Sequence, residues 1–185
     1  MNRIRLLFNN VSKILGNENI GLIVLTDELK TRQISIICDR STREAIDMRI
    51  GKMPETKEML PEVLTSMLKA KGADKYEIDI EDVANGQYVT IIQDISNGDA
   101  FRVKASQAIL LSIISDIPIY TTKELMQKQS NVFLGKGEKL SLPINVVTNS
   151  MLEESLKKAI EEENYEIASR LSEELKKRKN KDHTI

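Results

Sequence analysis

The sequence predicts an α+β fold: a mixed, mainly antiparallel sheet flanked by helices, followed by a C-terminal α-helical hairpin. Three observations lead there. Two β-rich runs, Ile20–Thr26 and Gln33–Cys38, are joined across the polar break Asp27–Thr31. Apolar Tyr76, Ile78 and Ile80 alternate with Glu77, Asp79 and Glu81 ahead of the Asn85-Gly86 turn signal. Finally, Leu152, Leu156, Ala159, Ile160 and then Ile167, Ala168, Leu171, Leu175 recur at helical spacing on either side of Glu163-Asn164.

The first two runs read as a hairpin. Ser41-Thr42-Arg43-Glu44 then has capping-box spacing, and Ala45, Ile46, Met48 and Ile50 carry a helix of about ten residues that ends at Gly51. Pro61 suits the first position of a second helix through Val63, Leu64, Met67 and Leu68, which stops at Gly72 with its apolar stripe facing a core. Tyr76–Glu81 is a strand with one wet face. It returns through Asn85-Gly86 along Gln87–Ile95, and a second turn at Asn97-Gly98 leads into Ala100–Val103, completing a three-stranded meander. Ala105–Ile114 is an apolar helix closed by Asp116-Ile117-Pro118, because proline forbids continuation. Ile119-Tyr120 and a helix over Lys123–Lys128, initiated at Thr121/Thr122, end the first domain.

From Gln129 to Asn149 the periodicity fades, and Leu140–Val147 offers at most a short strand. Gly135-Lys136-Gly137 lacks the Gly-Lys-Ser/Thr ending of a phosphate loop and reads as a flexible turn. The division is therefore 1–129 for the α+β domain, 130–149 for a linker or edge segment, 150–179 for the hairpin and 180–185 for a tail. Two short amphipathic helices bury little area alone, so the stripe of Leu152, Leu156, Ile160, Ile167, Leu171 and Leu175 is the expected partner-binding surface. The run Lys176-Lys177-Arg178-Lys179-Asn180-Lys181 opposes the negative end of the helix dipole and reads first as helix-end solvation, although it also has the charge to contact phosphates. His183, the single histidine, falls in the tail and carries no catalytic expectation.

Composition narrows the class. The chain has 185 residues, 41% hydrophobic and 30% charged, as expected of a globular protein rather than a disordered one. A formal net charge of -1 gives no global field that announces a nucleic-acid binder. One cysteine, Cys38, excludes an intramolecular disulfide, fits a reducing compartment and reads as a buried strand thiol. Met1–Phe8 lacks the apolar region and cleavage site of a signal peptide, and no run approaches the ~20 apolar residues of a membrane span. The expected setting is cytoplasmic, with no membrane partner.

Two resemblances add to this reading. Leu152–Leu175, above all Ala159-Ile160-Glu161-Glu162-Glu163-Asn164-Tyr165-Glu166-Ile167-Ala168, resembles the UVR motif of UvrB and UvrC excision-repair proteins. That resemblance implies self-association or a UVR-bearing protein partner; the family's Arg-Asp pair is replaced here by Ser172-Glu173. The order of elements from Ile20 to Leu125 resembles the bifunctional nuclease domain family, on Arg32-Gln33-Ile34-Ser35-Ile36, Arg43-Glu44-Ala45-Ile46, Ser106-Gln107-Ala108-Ile109 and Pro118-Ile119-Tyr120. A pairing with a UVR motif also occurs in that family.

The nuclease resemblance implies phosphodiester hydrolysis of DNA or RNA, in which carboxylates hold Mg²⁺ or Mn²⁺, bound water attacks and a cation stabilises developing charge. The family's Asp-x-Arg-x-Ser-Asp-Ala stretch corresponds to Arg102-Val103-Lys104-Ala105-Ser106-Gln107-Ala108, so both aspartates are replaced. Lys104 keeps the charge but not arginine's bidentate fork, and Ser106 sits where it would cap the following helix. The family's Arg-Pro-x-Thr-His-Asp corresponds to Glu58-Met59-Leu60-Pro61-Glu62-Val63. Candidate catalytic residues are thus Lys104, Ser106 and Glu62, candidate nucleic-acid contacts are Arg102 and Lys104, and no metal ligand is nominated. Asp79, Glu81 and Asp82 read as a solvated strand face. The alternative to a nuclease is a non-catalytic oligomeric scaffold, expected as a homodimer, that binds partners through the hairpin.

Overall fold

The computed structural model describes residues 3–14, 17–70, 75–133, 147 and 149–182. The chain divides into two compact units, Met1–Asp82 with Tyr88–Glu138, and Val83–Gln87 with Lys139–Ile185.

In the first unit, β1 (Arg3–Ile14), β2 (Asn17–Asp27) and β3 (Arg32–Asp39) form an antiparallel meander. The expected β2–β3 hairpin is present and longer than its apolar runs, whereas β1 has no counterpart in the sequence reading. Leu22, Ile23, Val24 and Leu25 are all buried, so β2 is covered on both faces, which is why it reads as a continuous apolar run rather than an alternation. Helix α1 (Arg40–Ile50) follows β3 directly. Its N-cap is Asp39, not the expected Ser41: the Asp39 carboxylate accepts from Thr42 N–H at 2.7 Å and from the Ser41 hydroxyl at 2.7 Å. A Cβ on Gly21 would lie 2.8 Å from Cys38 Sγ and 3.0 Å from Arg43 Cβ, so the absence of a side chain there lets β2 pass close to α1. Cys38 is a buried strand thiol as expected, and burial pushes it up to about 11, leaving it protonated at neutral pH.

A 3₁₀ turn (Pro54–Glu58) leads into α2 (Leu60–Ala70), leaving Glu58 outside the helix. The expected inward stripe is inverted. Thr65 is the buried residue of α2, and Leu60, Val63, Leu64 and Met67 are 78%, 43%, 44% and 59% exposed. Period identifies an amphipathic helix but does not say which side another element occupies.

The meander of β4 (Tyr76–Ala84), β5 (Gln87–Asp94) and β6 (Ala100–Lys104) is present, and Asn85 and Gly86 both have the positive φ that a type I′ turn needs. Next come α3 (Ala105–Ser115), β7 (Ile119–Thr122), α4 (Lys123–Gln129) and β8 (Asn131–Val132). Helix α3 ends on Asp116 in the left-handed conformation, and Thr122 caps α4 by accepting from Leu125 N–H at 3.0 Å. The described strands form one sheet in the order β6-β5-β4-β7-β1-β2-β3-β8, antiparallel except for β4 beside β7. Four strands separate β5 from β3, which in a flat sheet would place them roughly 24 Å apart. Yet the Tyr88 hydroxyl of β5 reaches the Ser35 carbonyl of β3 at 3.5 Å, so the sheet is strongly curled around its core.

The second unit contains the expected hairpin, α5 (Asn149–Glu161) and α6 (Tyr165–Asp182). Leu152, Ala159, Ala168, Leu171 and Leu175 bury one another, with Leu156 and Val147 against them. Arg178, within the basic run, is buried, pairing with Glu174 at 2.9 Å and donating to the Val147 carbonyl at 2.6 Å and to Asn149 Oδ1 at 2.9 Å. The Gly135-Lys136-Gly137 turn, the strand expected before Val147, the stop at Gly72 and His183 lie outside the described residues. Among the described residues no helix is long and apolar enough to cross a membrane.

Candidate functional site

Strand β6 runs into α3 without a loop, which sets Lys104 at the N-cap position with extended backbone and no side-chain cap hydrogen bond. Ser106 therefore does not cap α3 as expected; it is the second helical residue and only 7% exposed. Arg102 and Lys104 lie two apart on one strand, hence on one face of it, and both are exposed. Gln107, standing at the second replaced aspartate, donates through Nε2 to Thr42 Oγ1 at 2.8 Å and ties the start of α3 to the start of α1. Asp39 is held below the ordinary carboxylate range, first by the Thr42 N–H, then by the Ser41 hydroxyl and, further off, by the charge of Lys104.

Glu62 is elsewhere. Its carboxylate is gripped at both oxygens by Arg49, Nε to Oε1 at 2.8 Å and Nη2 to Oε2 at 2.7 Å, with side chains only 7% and 17% exposed. Arg49 also donates to the Ala45 carbonyl at 2.9 Å. It stands seven residues beyond Thr42 on α1, about 10 Å along the axis. The structure thus brings Arg102, Lys104 and Ser106 together and leaves Glu62 as half of a structural ion pair. Of the six hairpin candidates, Leu152, Leu171 and Leu175 lie in the hairpin core and Leu156 against it, whereas Ile160 and Ile167 are 53% and 49% exposed.

A second cluster was not legible as such in the sequence. Arg3 of β1 binds Glu77 at 2.8 Å and Asp79 at 2.7 Å from one guanidinium, which lies 4.1 Å from the centre of the Tyr120 ring. Partial burial works against its charge, but the hydrogen bonds to Glu77 and Asp79 raise Arg3 above its ordinary value. Arg3 and Asp79 open onto a cleft of about 640 Å³ with Glu81, Gln93, Lys123 and Glu124. The available signal was the acidic alternation of β4, but its partner lies in the unassigned β1.

A divalent metal does not fit either place. The Asp79 carboxylate already holds a guanidinium, Glu62 holds another, and among the described residues no group of three or more His, Cys, Asp or Glu side chains is placed to hold a metal ion. A family model described as the bifunctional nuclease domain matches residues 23–133, more than half of the chain and close to the span suggested by the sequence landmarks. No curated protein matches the chain. By that match, the chain belongs to the bifunctional nuclease domain family.

Proposed function

We propose that this member of the family works as a cytoplasmic, non-catalytic scaffold, with the α+β unit as platform and the UVR-like hairpin as the arm that binds a UVR-bearing protein. The observation that carries the reading is the bidentate Arg49–Glu62 pair: an acid standing at a polar position of the family motif is committed to holding α1 against α2. The replaced aspartates at Arg102 and Gln107 point the same way. The exposed stripe of Leu60, Val63, Leu64 and Met67 supports self-association of the platform as a homodimer. On the arm, Ile160, Tyr165 and Ile167 expose apolar surface at the bend, while the leucines between the helices are engaged with each other.

This division tells which changes separate binding from folding. With a purified UVR hairpin peptide as probe, Ile160→Asp and Ile167→Asp in the full chain are expected to weaken capture at least tenfold without loss of helicity, since both side chains already face water. Lys104→Ala is expected to bind as the wild type does. Capture unaffected by both isoleucine changes would remove the arm from the proposal. Family membership favours a second reading, phosphodiester hydrolysis with Mg²⁺ or Mn²⁺, in which Lys104 would face the phosphate.

A further inference from the structure

We infer that the outward face of α2 is the seam of a two-fold symmetric dimer, in which α2 lies antiparallel to α2 of a second copy of this chain. The inference rests on the homodimer of the scaffold reading and gives that dimer its surface and its register. Leu60, Val63, Leu64 and Met67 recur at i, i+3, i+4 and i+7, so they form one stripe, and all four are exposed. Met59, whose carbonyl accepts from the Glu62 and Val63 N–H groups at 3.1 Å, extends the stripe at its start and is exposed as well. Together they present on the order of a few hundred Å² of apolar surface, enough to form the centre of an interface that takes ~800 Å² from each partner.

Two properties of the stripe name its occupant. The first is charge. Glu62 and Lys69 are the charged residues of α2, and they stand three before and four after Thr65, the buried residue, on the inward side of the helix. Glu62 is held there by Arg49, and Lys69 lines a cleft with Tyr76 and Glu77. The stripe itself is neutral, so two identical copies meet without like charges, and it lacks the charged groups with which a surface selects an unlike partner. The second property is symmetry. A two-fold axis between Val63 and Leu64 sets Leu60 against Met67, Val63 against Leu64 and Met59 against the half-buried Leu68 of the second copy. Every apolar side chain of the stripe thus meets an apolar one, as a self-complementary interface requires. The antiparallel arrangement also places the positive end of each helix dipole beside the negative end of the other. The leucines of the C-terminal hairpin are engaged with one another, which leaves no second leucine stripe among the described residues as a competing occupant.

The test is sedimentation equilibrium of the full chain over a range of concentrations. The wild type is expected as a dimer. Leu64→Asp is expected to weaken association at least a hundredfold, since the change enters the seam twice, and to retain the wild-type circular dichroism, since the side chain is exposed within one copy. The register has its own readout. Leu60→Cys/Met67→Cys is expected to form a covalent dimer on mild oxidation, whereas Leu60→Cys alone is not, because the two copies of residue 60 would stand seven residues apart along the seam, ~10 Å, beyond disulfide reach. Cys38 is buried and stays out of the reaction. A wild-type dimer that Leu64→Asp leaves intact keeps the homodimer but overturns this surface. Cross-linking by Leu60→Cys alone shows parallel helices and overturns the register. A chain that sediments as a monomer at every concentration overturns the homodimer and the inference together and leaves the stripe to an unlike protein; capture of the UVR hairpin peptide is independent of all three results.

Discussion

Replacing Leu152 with aspartate is expected to melt the C-terminal hairpin while the α+β unit stays folded. Leu152 is fully buried, and the hairpin core contains few other side chains: Ala159, Ala168, Leu171 and Leu175, with Leu156 and Val147 beside them. Truncating a buried leucine costs about 2–5 kcal/mol, and a buried unpaired carboxylate costs more. A two-helix element has no reserve against that, because helices of 13 and 18 residues are marginal in water without a packed face. Far-ultraviolet circular dichroism should lose the large share of helix that α5 and α6 contribute, while amides of β2 and β3 keep their slow hydrogen exchange. Ile160→Asp, on the exposed side, is the control and should retain the signal. Intact helicity in Leu152→Asp would mean that these helices do not depend on one another.

The second large effect concerns the platform. Arg49→Met removes a guanidinium that grips both oxygens of Glu62 and leaves a carboxylate of 17% exposure without its partner. Breaking such a pair from one side costs about 3 kcal/mol, because the remaining charge is left desolvated. For a chain of this size that corresponds to a melting temperature lower by roughly 10 °C. Arg49→Lys should recover only part of it, since an ammonium cannot reproduce the two parallel hydrogen bonds. Adding Glu62→Leu to Arg49→Met should restore most of the loss, as removing both charges avoids the orphaned one. A thermal melt in which Arg49→Met matches the wild type would show that the pair is not a structural anchor.

The fold was legible wherever one local signal decided the matter. Asn85-Gly86 can take two positive φ values in succession, so the β4–β5 turn could be placed from two residues. The hairpin was legible because its stripe and its break at Glu163-Asn164 are both local. Strand β1 was missed: Ile4, Leu6 and Phe8 stand at alternate positions, but apolar Leu7 breaks the alternation and polar Asn9-Asn10 interrupts the apolar residues, where the strand's register also shifts. Helix α2 was found with its stripe turned the wrong way, since exposure depends on where other elements pack.

The site was less legible for the same reason. The residues at the α3 entry are neighbours in sequence and could be nominated together, but whether Glu62 joined them depended on Arg49, thirteen positions away on another helix. The Arg3 cluster joins β1 to β4 across 76 positions, a pairing that no period or motif encodes. Arg3 also precedes the segment matched by the bifunctional nuclease domain, so the family landmarks gave no route to it.

The most direct test of the central claim is incubation of the purified full chain with labelled single- and double-stranded DNA and RNA, in Mg²⁺, in Mn²⁺ and in EDTA, beside Lys104→Ala. The scaffold account predicts intact substrate in every lane. Cutting that requires metal, stops in EDTA and is lost in Lys104→Ala would contradict it and establish the chain as a working nuclease.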